Sequence, residues 1–117
     1  LMPINRLYAA PARLADPYVS PLFGTFDERF PPTQLLAGTR DLFLSNAVRM
    51  HRALRRAGAR VELQAFEAMP HGGFFGTPED AELSAEMKRF AETCWSLRSR
   101  YDLQMISLAS DAGESRP

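Results

Sequence analysis

The feature that most constrains the fold is a pair of short strand-like runs in the middle of the chain. The first, Thr33–Gly38, is apolar and ends at a glycine, which favours a buried strand over a helix. In the second, residues 60–66, Val61, Leu63 and Ala65 alternate with polar residues, as expected for a strand with one buried face. The sequence therefore predicts two strands, and the one-sided pattern of the second is compatible with a place near a sheet edge.

The segment between these runs has the pattern of an amphipathic helix. Ser45 or Asn46 can cap its start, and Gly58 is a typical stop signal. Apolar residues recur at spacings of three and four, which places them on one helix face: Ala47, Met50, Leu54 and Ala57. The order strand, helix, strand with short connections predicts a βαβ unit, in which the two strands run parallel.

An acid and a base follow the two predicted strands. Asp41 comes three residues after the first strand, and His71 comes about five residues after the second. Neighbouring parallel strands lie roughly 4.8 Å apart and end at the same sheet edge, where ligands and catalytic residues gather. We therefore expect these two side chains to be able to reach hydrogen-bond distance.

This pair has the chemistry of two members of a hydrolytic triad. A histidine can take and return a proton near neutral pH, and a carboxylate fixes its tautomer and stabilises the imidazolium. The alternative is that Asp41 caps a turn or a helix start and that His71 merely follows Pro70 in a polar loop. His51 lies among arginines in the middle of the predicted helix, where a surface or packing role is expected.

No plausible nucleophile accompanies the pair. None of the serines lies in a Gly-x-Ser-x-Gly elbow, and Cys94 lies within a helical pattern. The segment His71-Gly72-Gly73 is similar to the start of a lipase oxyanion loop, but it follows the acid instead of preceding a nucleophile elbow. The order acid, then histidine, is that of an α/β-hydrolase triad without its serine. We therefore expect this chain alone to lack the activity of a complete triad.

The remaining segments predict an arm, a second helix and a tail. Residues 1–32 are rich in proline and predict a long loop with short helical turns. Thr77 and Pro78 open a long helix, in which one apolar stripe is expected to face the core: Leu83, Met87, Phe90, Ala91, Cys94 and Leu97. Residues 107–117 predict a disordered polar tail, so the folded part is expected to span residues 1–106.

Composition argues against several classes of function. The 117 residues carry 14 basic and 14 acidic side chains, so we expect no nucleic-acid partner. One cysteine and two histidines predict neither a disulfide nor a zinc site. No apolar run is long enough to span a membrane and the first residues do not resemble a signal peptide, so a cytoplasmic location is expected unless the true N-terminus is missing. No glycine-rich phosphate loop supports nucleotide binding.

One local cluster of positive charge leaves two interpretations open. Four arginines occur on or just after the first predicted helix, at Arg52, Arg55, Arg56 and Arg60. Their spacing favours a solvated outer face, and a phosphate-binding patch is the alternative.

Several motifs in the right order carry a family resemblance. They are Asp16-Pro17-Tyr18-Val19-Ser20-Pro21-Leu22, Pro31-Pro32-Thr33, Gly38-Thr39-Arg40-Asp41 with Leu44-Ser45, and Met69-Pro70-His71-Gly72. Together, across residues 8–95, they resemble the C-terminal third of hormone-sensitive-lipase-like α/β-hydrolase esterases. The resemblance implies the C-terminal βαβα portion of an α/β-hydrolase fold, with a parallel sheet preceded by the proline-rich arm.

The same resemblance implies a function. Asp41 would be the triad acid and His71 the triad base of an enzyme that cleaves small carboxylic esters through an acyl-serine, without metal or organic cofactor. A homodimer through the last strand and helix is a further expectation. The family's His-Gly-Gly-Gly loop, Gly-Asp-Ser-Ala-Gly elbow and cap are not in this sequence, so the leading hypothesis is a truncated ester hydrolase. The alternatives are a noncatalytic interaction module derived from such an enzyme and a small α/β ligand-binding domain.

Overall fold

The computed structural model describes residue 10 and residues 13–113, with side chains described up to residue 105. The chain divides into two units, Leu1–Gly73 and Phe74–Pro117. The first contains a βαβ motif and the second contains one long helix.

The first unit is built on two parallel strands joined by a helix. Strand β1 spans Thr33–Gly38, helix α1 spans Leu44–Arg56 and strand β2 spans Val61–Phe66. The strands pair in parallel, from Thr33 opposite Val61 to Gly38 opposite Phe66. The predicted α/β class with a parallel sheet is thereby confirmed.

The two strands differ in how well their pattern predicted burial. Strand β1 has the predicted bounds, and its last two residues, Ala37 and Gly38, are buried. In β2 the alternation predicted Ala65 on the buried face, but Ala65 is exposed and Phe66 is buried. A two-residue alternation defines two faces, and it does not say which face the rest of the molecule covers.

Helix α1 begins slightly earlier than predicted and ends where the glycine indicated. Phe43 is its N-cap without a side-chain cap bond, so Ser45 and Asn46 lie inside the helix instead of capping it. At the other end, the Gly58 amide donates to Arg55 O at 3.2 Å and the Ala59 amide donates to Leu54 O at 3.1 Å. This pair of bonds is a Schellman motif, and Gly58 has the positive φ of 79° that the motif requires.

The described core is small and belongs to the first unit. Leu54, from the predicted stripe of α1, is only 1% exposed. The buried apolar residues are Ala37, Leu54, Ala59, Phe66 and Met69. Burying a leucine of this kind contributes about 1.5–3 kcal/mol of transfer free energy.

The arm before β1 has the predicted character over its described part. Residues 13–32 form turns and short helical segments, including a 3₁₀ turn at Pro21–Phe23. Asp16 organises one of these turns, because its carboxylate accepts a hydrogen bond from the Tyr18 amide at 2.9 Å and pairs with Arg13 at 3.1 Å. Residues 1–9, 11 and 12 of the predicted arm lie outside the described residues.

The second unit contains helix α2, which spans Asp80–Gly113. It begins two residues after Pro78, and the carboxylate of Asp80 accepts hydrogen bonds from the Phe74 and Gly76 amides. The backbone stays helical past residue 107, where the sequence predicted the start of a disordered tail. Residues 114–117 of that tail lie outside the described part of the chain.

The predicted core stripe of α2 is not buried. Leu83, Phe90 and Cys94 are half-buried, whereas Met87 and Leu97 are exposed. A helix buries its stripe only against another layer of structure, and the described part of this unit contains one helix. Within residues 10 and 13–113, no helix combines the length and apolarity needed to cross a bilayer.

Candidate active site

The loops that follow β1 and β2 are held together at the carboxyl edge of the sheet. The Thr39 amide donates to Phe66 O at 2.9 Å, and the Arg40 amide donates to Met69 O at 3.3 Å. The side-chain hydroxyl of Thr39 accepts a hydrogen bond from the Ala68 amide at 2.8 Å. These bonds place the residues that follow each strand side by side.

Gly38 makes this close approach possible. A Cβ atom at position 38 would lie 1.7 Å from Met69 O, which no side chain can tolerate without a backbone shift. On the other loop, Ala68 has a φ of 57°, an uncommon conformation for a residue with a Cβ. The hydrogen bond to Thr39 helps to hold that conformation.

The structure brings the two predicted site residues together. His71 Nδ1 lies 3.2 Å from Asp41 Oδ1 and 3.3 Å from Asp41 Oδ2. A histidine in the Nδ1–H tautomer donates to the carboxylate in this geometry, which leaves Nε2 able to accept a proton. The expected proximity is therefore observed, and the catalytic roles of the two residues stay a prediction.

Asp41 also organises the turn that leads into α1. Its Oδ1 accepts a hydrogen bond from the Phe43 amide at 2.7 Å, and its main-chain carbonyl accepts one from the Leu44 amide at 3.1 Å. Phe43 has φ −99° and ψ 4°, close to the third position of a type I turn. The alternative that Asp41 caps a turn is thus also observed, and one carboxylate makes both contacts.

The surroundings of Asp41 favour its ionised form. Its side chain is 8% exposed, yet its pKa lies below the ordinary value of 3.8. The main cause of the lowered pKa is the hydrogen bond from the Phe43 amide, and the hydrogen bond and charge of His71 add to it against the opposing effect of burial. The carboxylate is therefore charged near neutral pH and can stabilise an imidazolium.

Phe43, which no sequence motif singled out, contacts both members of the pair. Besides its amide bond to Asp41, its ring centroid lies 4.9 Å from that of His71, with 59° between the ring planes. The available signal was its position two residues after an aspartate and directly before a helix, where an Asp side chain commonly accepts the amide hydrogen. The ring contact depends on the second loop, which no local pattern specifies.

The other histidine and the cysteine lie within helices and not in the two site loops. His51 is half-buried within α1, and Cys94 is a half-buried free thiol within α2. Among the described residues, no group of three or more His, Cys, Asp or Glu side chains is arranged to hold a metal ion.

The arginines of α1 lie along its outer face. Arg52, Arg55 and Arg56 line a shallow surface depression, and the guanidinium of Arg49 lies 5.7 Å from the ring centroid of Phe23. These four arginines are exposed. This is the outer face on which the helical spacing predicted the arginines.

Comparison with known proteins identifies the class. A family model described as alpha/beta hydrolase fold matches residues 1–75, which include both Asp41 and His71. Since this match covers more than half of the chain, the chain belongs to the alpha/beta hydrolase fold family. The predicted resemblance is thereby confirmed.

A solved structure adds detail to this class. The chain is similar to a crystal structure of an esterase E25, with 44% sequence identity and a TM-score of 0.65. The match covers 74% of this chain and 27% of the esterase chain, so the sequence spans about a quarter of that protein's length. No curated protein matches the chain.

Proposed function

We propose that Asp41 and His71 are the acid and base of a serine-dependent carboxylic ester hydrolase. The observation that carries the proposal is the contact of 3.2 Å between His71 Nδ1 and Asp41 Oδ1, at the ends of two parallel strands. Membership of the alpha/beta hydrolase fold family and the likeness to an esterase support it. The predicted substrates are small carboxylic esters.

In the proposed mechanism, His71 moves protons and Asp41 supports it. Nε2 of His71 takes the hydroxyl proton of a serine as the serine oxygen attacks the ester carbonyl, and it returns that proton to the departing alcohol. Water then attacks the acyl-serine with the same assistance and releases the acid. Throughout, the ionised Asp41 keeps the Nδ1–H tautomer and stabilises the imidazolium.

The proposal assigns the serine nucleophile and the oxyanion donors to residues outside these 117. The sequence contains no Gly-x-Ser-x-Gly elbow. Loss of a triad serine typically lowers turnover by about 10⁶-fold. We therefore expect the purified chain to show no serine-dependent turnover of p-nitrophenyl acetate.

A chimera with the similar esterase tests the assignment. The segment of esterase E25 that this chain matches is replaced by the matching residues of this chain, and hydrolysis of p-nitrophenyl acetate is measured. We expect the chimera to be active and both Asp41→Asn and His71→Ala to lower kcat by about 10³–10⁴-fold or more. The host supplies the serine elbow and oxyanion loop.

Matched controls separate catalysis from a general effect of the substitutions. Asp27→Asn removes an exposed aspartate whose carboxylate pairs with Arg29, and His51→Gln removes the other histidine. Both controls should keep kcat within about threefold. A folded chimera without activity, or an active one that tolerates Asp41→Asn, would contradict the proposal and would favour a noncatalytic interaction module.

A further inference from the structure

One residue outside the predicted pair touches both of its members. The amide of Phe43 donates to Asp41 Oδ1 at 2.7 Å, and the Phe43 ring packs against the His71 imidazole at a centroid distance of 4.9 Å. The two contacts come from different parts of Phe43, so they can be altered separately.

The backbone of Phe43 is fixed by the turn and the helix around it. The Leu44 amide donates to Asp41 O, and the Ala47 amide donates to Phe43 O at 3.0 Å as the first turn of α1 forms. Moving the Phe43 amide away from Asp41 would break the turn and disturb the helix start. The amide is therefore a preorganised donor to the carboxylate.

The His71 side chain has much less support of its own. It is 67% exposed, and it is followed by Gly72 and Gly73, which have positive φ angles of 94° and 121°. Its Nδ1 lies almost equally far from both oxygens of Asp41, at 3.2 and 3.3 Å. An exposed imidazole on such a loop has other rotamers open to it unless a neighbour restricts it. The ring of Phe43 is that neighbour.

We propose that Phe43 is a positioning residue for the Asp41–His71 pair. Its amide orients the Asp41 carboxylate, and its ring restricts the His71 imidazole to rotamers in which Nδ1 faces that carboxylate. The catalytic part of this inference rests on the proposed function, whereas the geometric part concerns the pair itself. The two parts therefore have separate tests.

The geometric test uses the chain as it is. The protein has only two histidines, so the ring nitrogens of His71 and His51 can be assigned in long-range proton–nitrogen NMR spectra. Phe43→Ala removes the ring and keeps the amide. We expect His71 to lose Nδ1–H population in this variant and to shift toward the Nε2–H tautomer that free imidazole side chains prefer, while His51 is unchanged.

Three further variants make this measurement decisive. Phe43→Tyr keeps an aromatic ring and should retain the wild-type tautomer, and Phe43→Leu keeps apolar volume without a ring and should give an intermediate population. Leu42→Ala truncates the exposed neighbouring side chain and should change nothing. Wild-type tautomer populations in both Phe43→Ala and Phe43→Leu would overturn the inference.

The catalytic test uses the active chimera. Phe43→Ala should lower kcat by about 10- to 100-fold, because small displacements of a catalytic group are costly, and KM should stay within about threefold. Phe43→Tyr should restore kcat. If Asp41→Asn abolishes activity and Phe43→Ala does not, the positioning role fails and the proposed function stands. If the tautomer shifts and the chimera is inactive throughout, the proposed function fails and the geometric role stands.

Discussion

The two units of the chain carry similar apolar patterns and bury them to very different extents. In the βαβ unit, the stripe of α1 includes Leu54, which is 1% exposed. In the unit that holds α2, a stripe with apolar residues also spaced three and four apart includes Met87 and Leu97, both of which are exposed. Helical periodicity therefore identifies a face, and burial of that face depends on a second layer that covers it.

A substitution that crowds the contact between the two site loops should destabilise the chain most. Gly38→Ala places a Cβ atom 1.7 Å from Met69 O, so the strand end or the loop must shift. We expect the free energy of unfolding to fall by about 3 kcal/mol or more in urea denaturation. Gly76→Ala is the matched control, because its Cβ meets nothing within 4 Å and only its φ of 91° is unfavourable. Equal losses in the two variants would refute the close-packing argument.

The next largest change in the free energy of unfolding is expected in the α1 stripe, and the same substitution in the α2 stripe is its comparison. Leu54→Ala should lower the free energy of unfolding by about 2–5 kcal/mol, because it leaves a cavity in the core. Leu97→Ala should change it by no more than about 0.5 kcal/mol, because Leu97 is exposed. The check is chemical denaturation of both variants under one condition. A large effect of Leu97→Ala would show that α2 has a partner layer in solution.

A smaller effect is expected from the hydroxyl that joins the site loops. Thr39→Val removes the acceptor of the Ala68 amide and should cost about 0.5–1.5 kcal/mol, measured in thermal and urea unfolding. The comparison is Thr93→Val in α2, where the hydroxyl donates to Arg89 O along an exposed helix. That substitution should be nearly neutral. If Thr93→Val proved as costly as Thr39→Val, the loop contact would have no special role.

The smallest effect concerns acid stability and distinguishes Asp41 from an ordinary carboxylate. Because the folded-state pKa of Asp41 is below 3.8, its contribution to stability is fully present above pH 3.8 and is lost as the pH falls through the lowered value. Asp41→Asn should therefore flatten the loss of stability that melts show as the pH falls below about 3.8. Asp16 and Asp27 also have lowered pKa values, so Asp16→Asn and Asp27→Asn are the comparison variants in the same pH-dependent melts. An unchanged pH profile in Asp41→Asn would contradict this account.

Part of the site followed directly from the sequence. The bounds of β1 and the helix stop at Gly58 were predicted, because both depend on local patterns of apolar residues and glycine. The meeting of Asp41 and His71 was expected, because parallel neighbours end at one sheet edge. The start of α1 was misplaced because the Asp41 turn leads into the helix before the serine that resembled a cap.

The order of elements, the parallel pairing and the neighbourhood of the acid and base could all be predicted from the sequence. These follow from periodicity and chain connectivity, which are properties of short segments. Tertiary packing was needed to establish that Phe66 and not Ala65 is buried and that the Phe43 ring meets His71. Each of these depends on which surfaces from distant parts of the chain come together, and a local pattern carries no information about that.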